Sequence, residues 1–294
     1  MFFWQILLNS LVIGTQVLLL AVPLYLVYSV SKIYHLGLGA TAAATAYALY
    51  FGLTNDWPLG LSIGLAVIVA LAVAGISYWL LEPFARQKNS LYGLLTSFAL
   101  GLGLEALLAI MFGTDGKFLI RQVLPTFQWG DLYITQPGAW TIIVGVALTV
   151  LAVALVQKTP WGRTLRSVAE NSFVASSLRI NSSLVRLVVL MGASLLAGFV
   201  GIMTSLNTAL TPQIGFNLVL MAFVALLVGG VSSLKGTVMA AYIVSLVPEL
   251  LVGLSSGFWD MSANWKMLLV FIIATILLIW RPNGLLTKAQ RAVD

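Results

Sequence analysis

LVVLMGASLLAGFVGIMTSLNTALTPQIGFNLVLMAFVALLVGGVSSL, residues 187–234, is a run of 48 residues without a charged side chain. A single helix of that length would extend about 72 Å, at about 1.5 Å per residue. The hydrocarbon core of a bilayer is only about 30 Å thick. The run must therefore fold back at least once, and the polar turn is expected in NTALTPQIGFN, residues 207–217. This pattern predicts membrane-spanning helices.

The composition of the whole chain agrees with that prediction. Of its 294 residues, 60% are hydrophobic and 8% are charged, against about a quarter charged in soluble domains. Uncharged runs of spanning length recur along the chain, in place of the short alternating segments of a membrane β-barrel. We predict an all-α, polytopic transmembrane helical bundle with about 8–9 membrane segments, including short or broken helices, that forms one domain over residues 1–294.

Glycine patterns predict where helices approach closely or break. Gly60-x-x-x-Gly64 and Ala197-x-x-x-Gly201 each place two small residues about one turn apart on one helix face, which is a weak signal of close packing. After the first apolar segment, two glycines precede a run of Ala and Thr. That composition predicts a helix that is either tightly packed or broken.

The basic residues predict the orientation of the bundle. The net charge of +6 comes from Lys and Arg scattered over loops, which is typical of a topology signal and not of a nucleic-acid surface. Three uncompensated basic segments are expected in the cytoplasm: Arg86 with Lys88, residues 158–186, and the tail with Arg281, Lys288 and Arg291. Asp56, residues 113–137 and Asp260 are expected outside, and the uncharged N-terminus fits translocation to that side.

Residues 158–186, KTPWGRTLRSVAENSFVASSLRINSSLVR, form the longest polar and basic interruption of the chain. Trp161–Ser176 is predicted to form one short helix with a charged face of Arg163, Arg166 and Glu170. Its shallow apolar face comprises Leu165, Val168, Ala169, Ser172 and Phe173. Periodicity leaves two interpretations open: a docking surface for a protein outside the bilayer, or a solvated basic loop that only sets topology.

Three ionisable residues fall within or beside predicted spans. Glu105 and Glu249 are costly inside a membrane, where such groups usually face a protein interior or a water-filled path. Each carboxyl group has either a proton- or cation-coupled role or an interhelical hydrogen bond. His35, the one histidine of the sequence, is interpreted as a proton relay or as a polar residue satisfied by hydrogen bonds. With no Cys and no second His, the sequence contains no metal-binding cluster.

GGVSSLKGT, residues 229–237, is not a phosphate-binding loop. The P-loop pattern requires a lysine directly after its last glycine, and here Lys235 precedes Gly236. ATP is therefore expected to bind a partner and not this chain. Gly229–Gly236 is interpreted as a helix break whose freed backbone groups line a cavity, as in transporter substrate sites, or reach water near the lipid headgroups.

Four blocks occur in an order that carries a family resemblance: LLTSFALGLGLEALLAIMFG (94–113), TPWGRTLRSVAENSFVASSLRIN (159–181), FVALLVGGVSSLKGTVMAAYIVSLVPELL (223–251) and IWRPNGLL (279–286). They resemble, respectively, the fourth span, the cytoplasmic coupling loop, the glycine-rich segment and the C-terminal motif of the LivH-type permeases of branched-chain amino acid ABC importers. The chain departs from the family pattern at Ile33–Leu38, which reads IYHLGL, and at Ser232, where a glycine is usual. The first departure bears on which substrate is carried.

The resemblance implies a permease subunit of an ATP-driven importer for branched-chain or other neutral amino acids, and not an enzyme. It implies a bacterial inner-membrane location, with the coupling loop and the C-terminus in the cytoplasm. The implied partners are membrane lipid, a second, LivM-like permease, two cytoplasmic ATPase subunits and an extracytoplasmic substrate-binding protein. No cofactor is expected in this chain, because ATP and Mg²⁺ would bind the ATPase subunits.

The resemblance assigns residues to ATPase coupling, and the ionisable residues and the helix break predict a translocation path. The ATPase-coupling residues are Gly162, Arg163, Leu165, Arg166, Val168, Ala169, Glu170, Asn171 and Phe173. The residues assigned to the translocation path are Tyr34, His35, Thr96, Glu105, Gly229, Gly230, Ser232, Ser233 and Glu249. Two alternatives stay open, namely the permease of a urea or short-amide ABC importer and a secondary transporter that works without ATP.

Overall fold

The computed structural model describes residues 2–120, 125–130, 132–254, 265–281 and 284–286. Within them the chain forms helices α1 Phe2–Ser31, α2 Leu38–Thr54, α3 Leu59–Arg86, α4 Ser90–Phe112, α5 Gln136–Lys158, α6 Pro160–Glu170, α7 Ser172–Ser177, α8 Ser182–Asn207, α9 Phe216–Gly229, α10 Leu234–Leu254 and α11 Trp265–Trp280. Two short antiparallel strands, β1 Thr126–Trp129 and β2 Leu132–Thr135, form a hairpin between α4 and α5. The predictions for Asp260, Lys288 and Arg291 concern positions outside the described residues.

The predicted all-α membrane bundle is confirmed. Six helices, α1, α3, α4, α5, α8 and α10, are long and apolar enough to cross a membrane, and α9 and α11 are shorter apolar helices. Helix α2 adds 17 residues of mostly small and apolar side chains. The uncharged run at residues 187–234 folds back as predicted, since α8 ends at Asn207 and α9 begins at Phe216.

The bundle has two chemically different ends. One end, here called the basic end, brings together α6, α7 and the neighbouring ends of α1, α3, α8 and α9. Lys32 Nζ, just after α1, donates to Ala169 O at 3.0 Å. Most described Lys and Arg side chains belong to this end: Lys32, Arg86, Lys88, Lys158, Arg163, Arg166, Arg179, Arg186, Lys235 and Arg281.

The opposite end, here called the hairpin end, contains the strands and residues 113–120. Gln5 bonds both backbone groups of Tyr133, accepting from its N–H at 2.9 Å and donating to its carbonyl at 2.8 Å. Thr135 Oγ1 donates to Asn207 Oδ1 at 2.5 Å. Lys117 and Leu210 exchange two backbone hydrogen bonds of 2.9 and 2.7 Å. These contacts place the end of α8 beside the start of α1 and the hairpin.

Helix α1 is the centre of the bundle. Its sequence is apolar on all sides, a pattern that favours a position inside the protein. The side chains from Val17 to Val22 are at most 3% exposed. They lie within the main hydrophobic core, to which α5, α8, α9 and α10 also contribute. Helices α5, α8, α9 and α10 therefore pack around α1.

Helices α2 and α8 cross at very short distance because both supply small residues. A Cβ atom on Gly201 would lie 2.0 Å from the carbonyl oxygen of Ala42, so only glycine permits this approach. The close packing predicted from Ala197-x-x-x-Gly201 is therefore confirmed. The same prediction for Gly60-x-x-x-Gly64 is wrong, since a Cβ atom at either glycine would meet open space within the described residues.

Two segments that pass through the bundle are only partly helical. After α1, residues 32–37 turn into the bundle, where Leu36 N donates to Ser97 Oγ at 3.2 Å and Ser97 Oγ donates to Tyr34 O at 3.0 Å. Residues 208–215 lead non-helically from the hairpin end to Gly215, whose backbone touches that of Gly39. Irregular backbone is tolerated at membrane depth where protein covers it. Of the two alternatives predicted after α1, the tightly packed helix is confirmed, since α2 is unbroken from Leu38 to Thr54 and follows the non-helical residues 32–37.

Candidate functional site: the segment between α5 and α8

Residues 158–181 form a compact helical segment at the basic end, here called the coupling segment. Pro160 starts α6 at a position where its missing N–H costs nothing. Thr159 Oγ1 accepts a hydrogen bond from Gly162 N at 3.0 Å and caps the helix. The backbone of Gly162 lies against α5, because a Cβ atom there would be 2.1 Å from Val156 O.

The coupling segment contains two helices and not the single helix predicted over Trp161–Ser176. Helix α6 ends at Glu170, and Asn171 has an extended backbone with φ −153° and ψ 103°. Its side chain accepts hydrogen bonds from Phe173 N and Val174 N at 3.0 and 3.3 Å. Asparagine competes in this way with a continuing helix and starts a new one. The single-helix prediction is wrong because it overlooked this cap.

The predicted apolar face divides between the two helices. Leu165 and Val168 are each 2% exposed and belong to the main core. Ala169 is partly buried against the same core. By contrast, Phe173 on α7 is 76% exposed. Leu165 and Val168 therefore anchor α6 to the bundle, and their assignment to a partner's groove needs revision.

An exposed apolar surface remains on α7 and the residue after it. Phe173, Val174 and Leu178 are 76%, 52% and 69% exposed, respectively. Phe173 and Val174 belong to the first turn of α7, and Leu178 is the residue that ends it. This group, here called the α7 surface, follows directly after α6, whose exposed charged residues include Arg163 and Glu170.

Polar contacts hold the coupling segment to the ends of two membrane helices. Arg166 Nη1 donates to the last carbonyl groups of α5, at 3.1 Å to Val156 O and 3.2 Å to Gln157 O. Lys32 holds the C-terminal carbonyl of Ala169, which is a favourable place for a cation. Desolvation and, secondarily, the charge of Lys88 lower the pKa of Lys32. The segment is thus fixed to α1 and α5.

Of the residues assigned to the translocation path, Glu105 lies at a small cavity. The cavity has a volume of about 10 Å³ and lies between α2, α4 and α9. Glu105 is its one ionisable lining residue, among Leu36, Ala40, Phe98, Gly101, Leu102, Phe216 and Val219. A space of this size holds about one water molecule. Thr96 is absent from this lining, and its neighbour Ser97 makes the contacts with the linker after α1.

Tyr34 and His35 lie in the buried linker between α1 and α2. The Tyr34 ring stacks on Tyr28, with centroids 4.4 Å apart, and meets Phe223 edge-on at 5.3 Å. His35 is fully buried, and neither ring nitrogen has a hydrogen-bond partner within the described residues. Within the described residues, the interpretation of His35 as a polar residue satisfied by hydrogen bonds is therefore wrong.

Gly229, Gly230, Ser232 and Ser233 lie in a turn at the basic end. Gly229 is the last residue of α9, and its backbone touches that of Gly236. Gly230 has a φ of 97°, a conformation that favours glycine. Ser233 Oγ accepts from Gly236 N at 3.1 Å and starts α10. None of these four residues lines the cavity beside Glu105. Of the two interpretations of this break, its position favours the one in which it reaches the headgroup region.

Glu249 makes an interhelical contact. Its Oε1 accepts from Lys266 Nζ of α11 at 2.7 Å. The interpretation of Glu249 as a partner in an interhelical bond is confirmed, and the bond is an ion pair. Among the described residues no group of three or more His, Cys, Asp or Glu side chains could hold a metal ion.

One buried charged cluster has no counterpart among the site residues predicted from the sequence. Glu82 of α3 and Arg186 of α8 are 8% and 6% exposed and form an ion pair with two hydrogen bonds. The charge pattern marks Arg186 only as the end of the basic stretch. The available signal was the presence of opposite charges near the ends of two apolar helices, which would each be costly without a partner.

A family model and several known transport proteins match this chain. The family model described as branched-chain amino acid transport system / permease component matches residues 6–278. The chain is 23% identical to the high-affinity branched-chain amino acid transport system permease protein LivH of Escherichia coli, over 99% of this chain and 97% of the relative. It is also 23% identical to the corresponding permease protein LivM of Salmonella typhimurium, over 93% and 68% of the two chains.

A solved structure shares the fold. The structure of PsaBC from Streptococcus pneumoniae in complex with Fab matches with a TM-score of 0.50. The match covers 92% of this chain and 90% of that chain at 14% sequence identity. At this identity the likeness concerns the fold alone.

Proposed function

The chain belongs to the family of branched-chain amino acid transport system permease components, and from this premise we propose that it is a permease subunit of an ATP-driven importer for branched-chain or other neutral amino acids. The observation that carries the proposal is the coupling segment. It is anchored to the bundle by Leu165, Val168 and Arg166 and exposes the α7 surface next to charged groups. An apolar surface with a polar rim is the usual composition of a protein interface.

The basic end faces the cytoplasm in this proposal. Cytoplasmic loops carry an excess of Lys and Arg, and most described basic side chains belong to the basic end, while Lys117 and Lys266 do not. The hairpin end then faces outward. There, a cavity of about 670 Å³ is lined by residues that include Tyr50, Asp56 and Lys117. A substrate-binding protein delivers the amino acid at this end.

The complete importer contains a second, LivM-like permease and two ATPase subunits. The similarity of this chain to both LivH and LivM supports a pair of related permeases that share one path. ATP and Mg²⁺ bind the ATPase subunits, and this chain binds neither. Each ATPase covers a coupling segment, with Phe173, Val174 and Leu178 in its groove and Arg163 and Glu170 at the rim. ATP-driven closure of the ATPase pair then moves α6 and α7.

Leu165, Val168, Gly162 and Asn171 have a different part in this mechanism. Their side chains or backbones fix α6 against α5 and α1 or set the direction of α7. They position the α7 surface and do not enter the ATPase groove. Movement of the surface is thereby transmitted to the helices on either side.

The experiment that tests the function begins with affinity purification of the tagged chain from its native membrane, followed by mass spectrometry. ATPase subunits and a second, similar permease are expected in the purified complex. After reconstitution with the binding protein, uptake of radiolabelled leucine, isoleucine or valine should require ATP. Uptake of urea in place of these amino acids would identify the chain as the permease of a urea or short-amide importer. Transport by the chain alone without ATP would overturn the proposal in favour of a secondary transporter.

Glu105 provides a prediction about the path. The cavity beside it is otherwise lined by apolar residues, and a carboxylate there would pair with the ammonium group of an amino acid once the cavity opens. Glu105→Gln keeps the shape of the side chain but removes its charge. We expect about a tenfold or greater loss of uptake, because a hydrogen bond to a charged group contributes about 1.5–3 kcal/mol.

The measurement is the concentration dependence of leucine uptake in reconstituted complexes. ATPase subunits should remain bound to the Glu105→Gln variant, since Glu105 is distant from α6 and α7 in the chain. Asp115→Asn, which removes a carboxylate from an exposed residue at the hairpin end, is the matched control. Equal uptake by the wild type and Glu105→Gln would show that Glu105 does not contribute to the translocation path.

A further inference from the structure

A buried ion pair joins α3 to α8 next to the coupling segment. Glu82 lies four residues before the end of α3, and Arg186 lies four residues after the start of α8. Arg186 Nε donates to Glu82 Oε2 at 2.7 Å, and Arg186 Nη2 donates to Glu82 Oε1 at 2.6 Å. Two parallel bonds fix the carboxylate and the guanidinium in one plane and therefore restrict their relative orientation.

Three further side chains complete the cluster. Ser183 Oγ donates to Glu82 Oε1. Because the serine hydroxyl has a single hydrogen, the bond of 2.9 Å between Ser183 and Tyr78 is donated by the Tyr78 hydroxyl. Arg86 bridges the same groups, from Nε to Glu82 Oε1 at 2.8 Å and from Nη2 to Ser183 Oγ at 3.1 Å. One face of α3 thus holds two successive turns of α8.

The cluster is directly linked to the coupling segment. Ser182 Oγ, in the first turn of α8, donates to Ser172 O at the start of α7 at 3.3 Å. Asn181 Oδ1 accepts from Leu184 N at 3.1 Å and caps α8. The other side of the ion pair faces a small cavity lined by the end of α1, including Ser31. Lys32, the next residue, holds Ala169 of α6.

Thermodynamic stability alone is a weak reason for such a pair. Taking two charges out of water has a desolvation cost that their attraction often only balances, and apolar residues of similar volume are frequently as stable or more stable. A buried ion pair does, however, specify one geometry, because a displaced partner leaves an uncompensated charge. A single fixed geometry suits a contact through which two helices must move together without changing their relative position.

We propose that the Glu82–Arg186 ion pair makes α3 follow α8 when the coupling segment moves, so that ATP-driven motion at the basic end reaches two membrane helices together. Glu82 and Arg186 are positioning residues in this role, since they touch neither substrate nor nucleotide. The inference rests on the proposed function. Without the pair, α7 would still pull on α8 through residues 178–182, but α3 would be held to α8 only by apolar packing and by the hydrogen bonds of Ser183 with Tyr78 and Arg86.

The test uses the complete importer in proteoliposomes and compares four forms of this chain. They are the wild type, Arg86→Gln, the apolar double variant Glu82→Leu with Arg186→Met, and the exchange Glu82→Arg with Arg186→Glu. The exchange is made in the Arg86→Gln background, because a new Arg at position 82 would otherwise face Arg86 one turn away. For each form the yield of assembled complex, the ATPase rate and the number of amino acids transported per ATP are measured.

The apolar double variant is expected to assemble and to hydrolyse ATP, with the transport ratio reduced at least about fivefold, the lower range of couplings between sites. The exchange is expected to recover most of the ratio. Arg86→Gln should change it by less than about twofold, because the Arg86 side chain is 66% exposed.

Two results would overturn the inference. An assembled apolar variant with an unchanged transport ratio would show that the pair does not transmit motion. Failure of the apolar variant to assemble would make the pair a folding element. A failure of the proposed function is distinguishable from both, because the wild-type chain would then neither bind ATPase subunits nor require ATP for transport.

Discussion

Phe173→Asp is expected to reduce ATP-driven amino acid uptake by at least about thirtyfold while leaving the chain in the membrane. Phe173 has the most exposed side chain of the α7 surface, at 76%. An aromatic residue that becomes buried at the centre of an interface contributes about 2 kcal/mol or more, which is about thirtyfold in affinity. A carboxylate at the same place would also have to be desolvated without a partner.

The substitution should not damage α7 itself. Asn171 caps this helix, so Phe173 occupies its second position, where a negative charge interacts favourably with the helix N-terminus. The loss of uptake would therefore report on the surface and not on helix formation. The measurement combines leucine uptake with the amount of ATPase that copurifies with the tagged chain.

Phe173→Leu is the matched control, since it retains most of the apolar area at the same position. It should retain ATPase binding and most of the uptake. Membrane-fraction immunoblots establish that both variants are inserted equally. If Phe173→Asp transported at the wild-type rate, the α7 surface would not be the docking surface, and the alternative of a solvated basic loop would gain support.

Gly201→Val is expected to cause the largest loss of folded protein among single substitutions considered. A Cβ atom at this position would lie 2.0 Å from the carbonyl oxygen of Ala42, which is backbone and cannot rotate away. Overpacking a well-packed interior costs about 1–3 kcal/mol, occasionally more. Here the two helices must separate, so we expect a cost at the upper end of that range.

The measurement is the thermal unfolding midpoint of the detergent-solubilised chain, followed by size-exclusion chromatography. Gly192→Val is the matched control, because it makes the same change in the same helix at a site where a Cβ atom would meet nothing within 4 Å. The control should behave like the wild type. Equal midpoints for the two variants would mean that α2 and α8 do not cross at Gly201 in the membrane.

The location of the candidate site could be predicted, but the face that it exposes could not. Residues 158–186 are recognisable because charges interrupt an apolar chain. Periodicity placed Leu165 and Phe173 on the same apolar face. It could not reveal that the bundle covers Leu165 while Phe173 is left exposed, since that depends on which neighbours surround each helix. Asn171 changes the helix direction between them through two local hydrogen bonds.

For the ionisable residues, too, the sequence predicts the need for a partner, and the packing decides which partner it is. That Glu249 needs a partner follows from its presence in an apolar span, whereas the identity of that partner, Lys266, depends on how α10 and α11 pack. Glu82 and Arg186 are 104 positions apart. No local pattern connects them, and only the meeting of α3 and α8 brings their charges within hydrogen-bonding distance.

The sequence by itself determined the class of the protein, the approximate number of membrane segments and the position of the basic segment between two of them. Those properties depend on transfer of side chains from water to lipid, which is a sum over local composition. The tertiary structure decided which residues of the basic segment are exposed, which glycines permit helix crossings and which charges are paired. Those properties depend on contacts between residues distant in the chain, and such contacts exist only once the helices have packed.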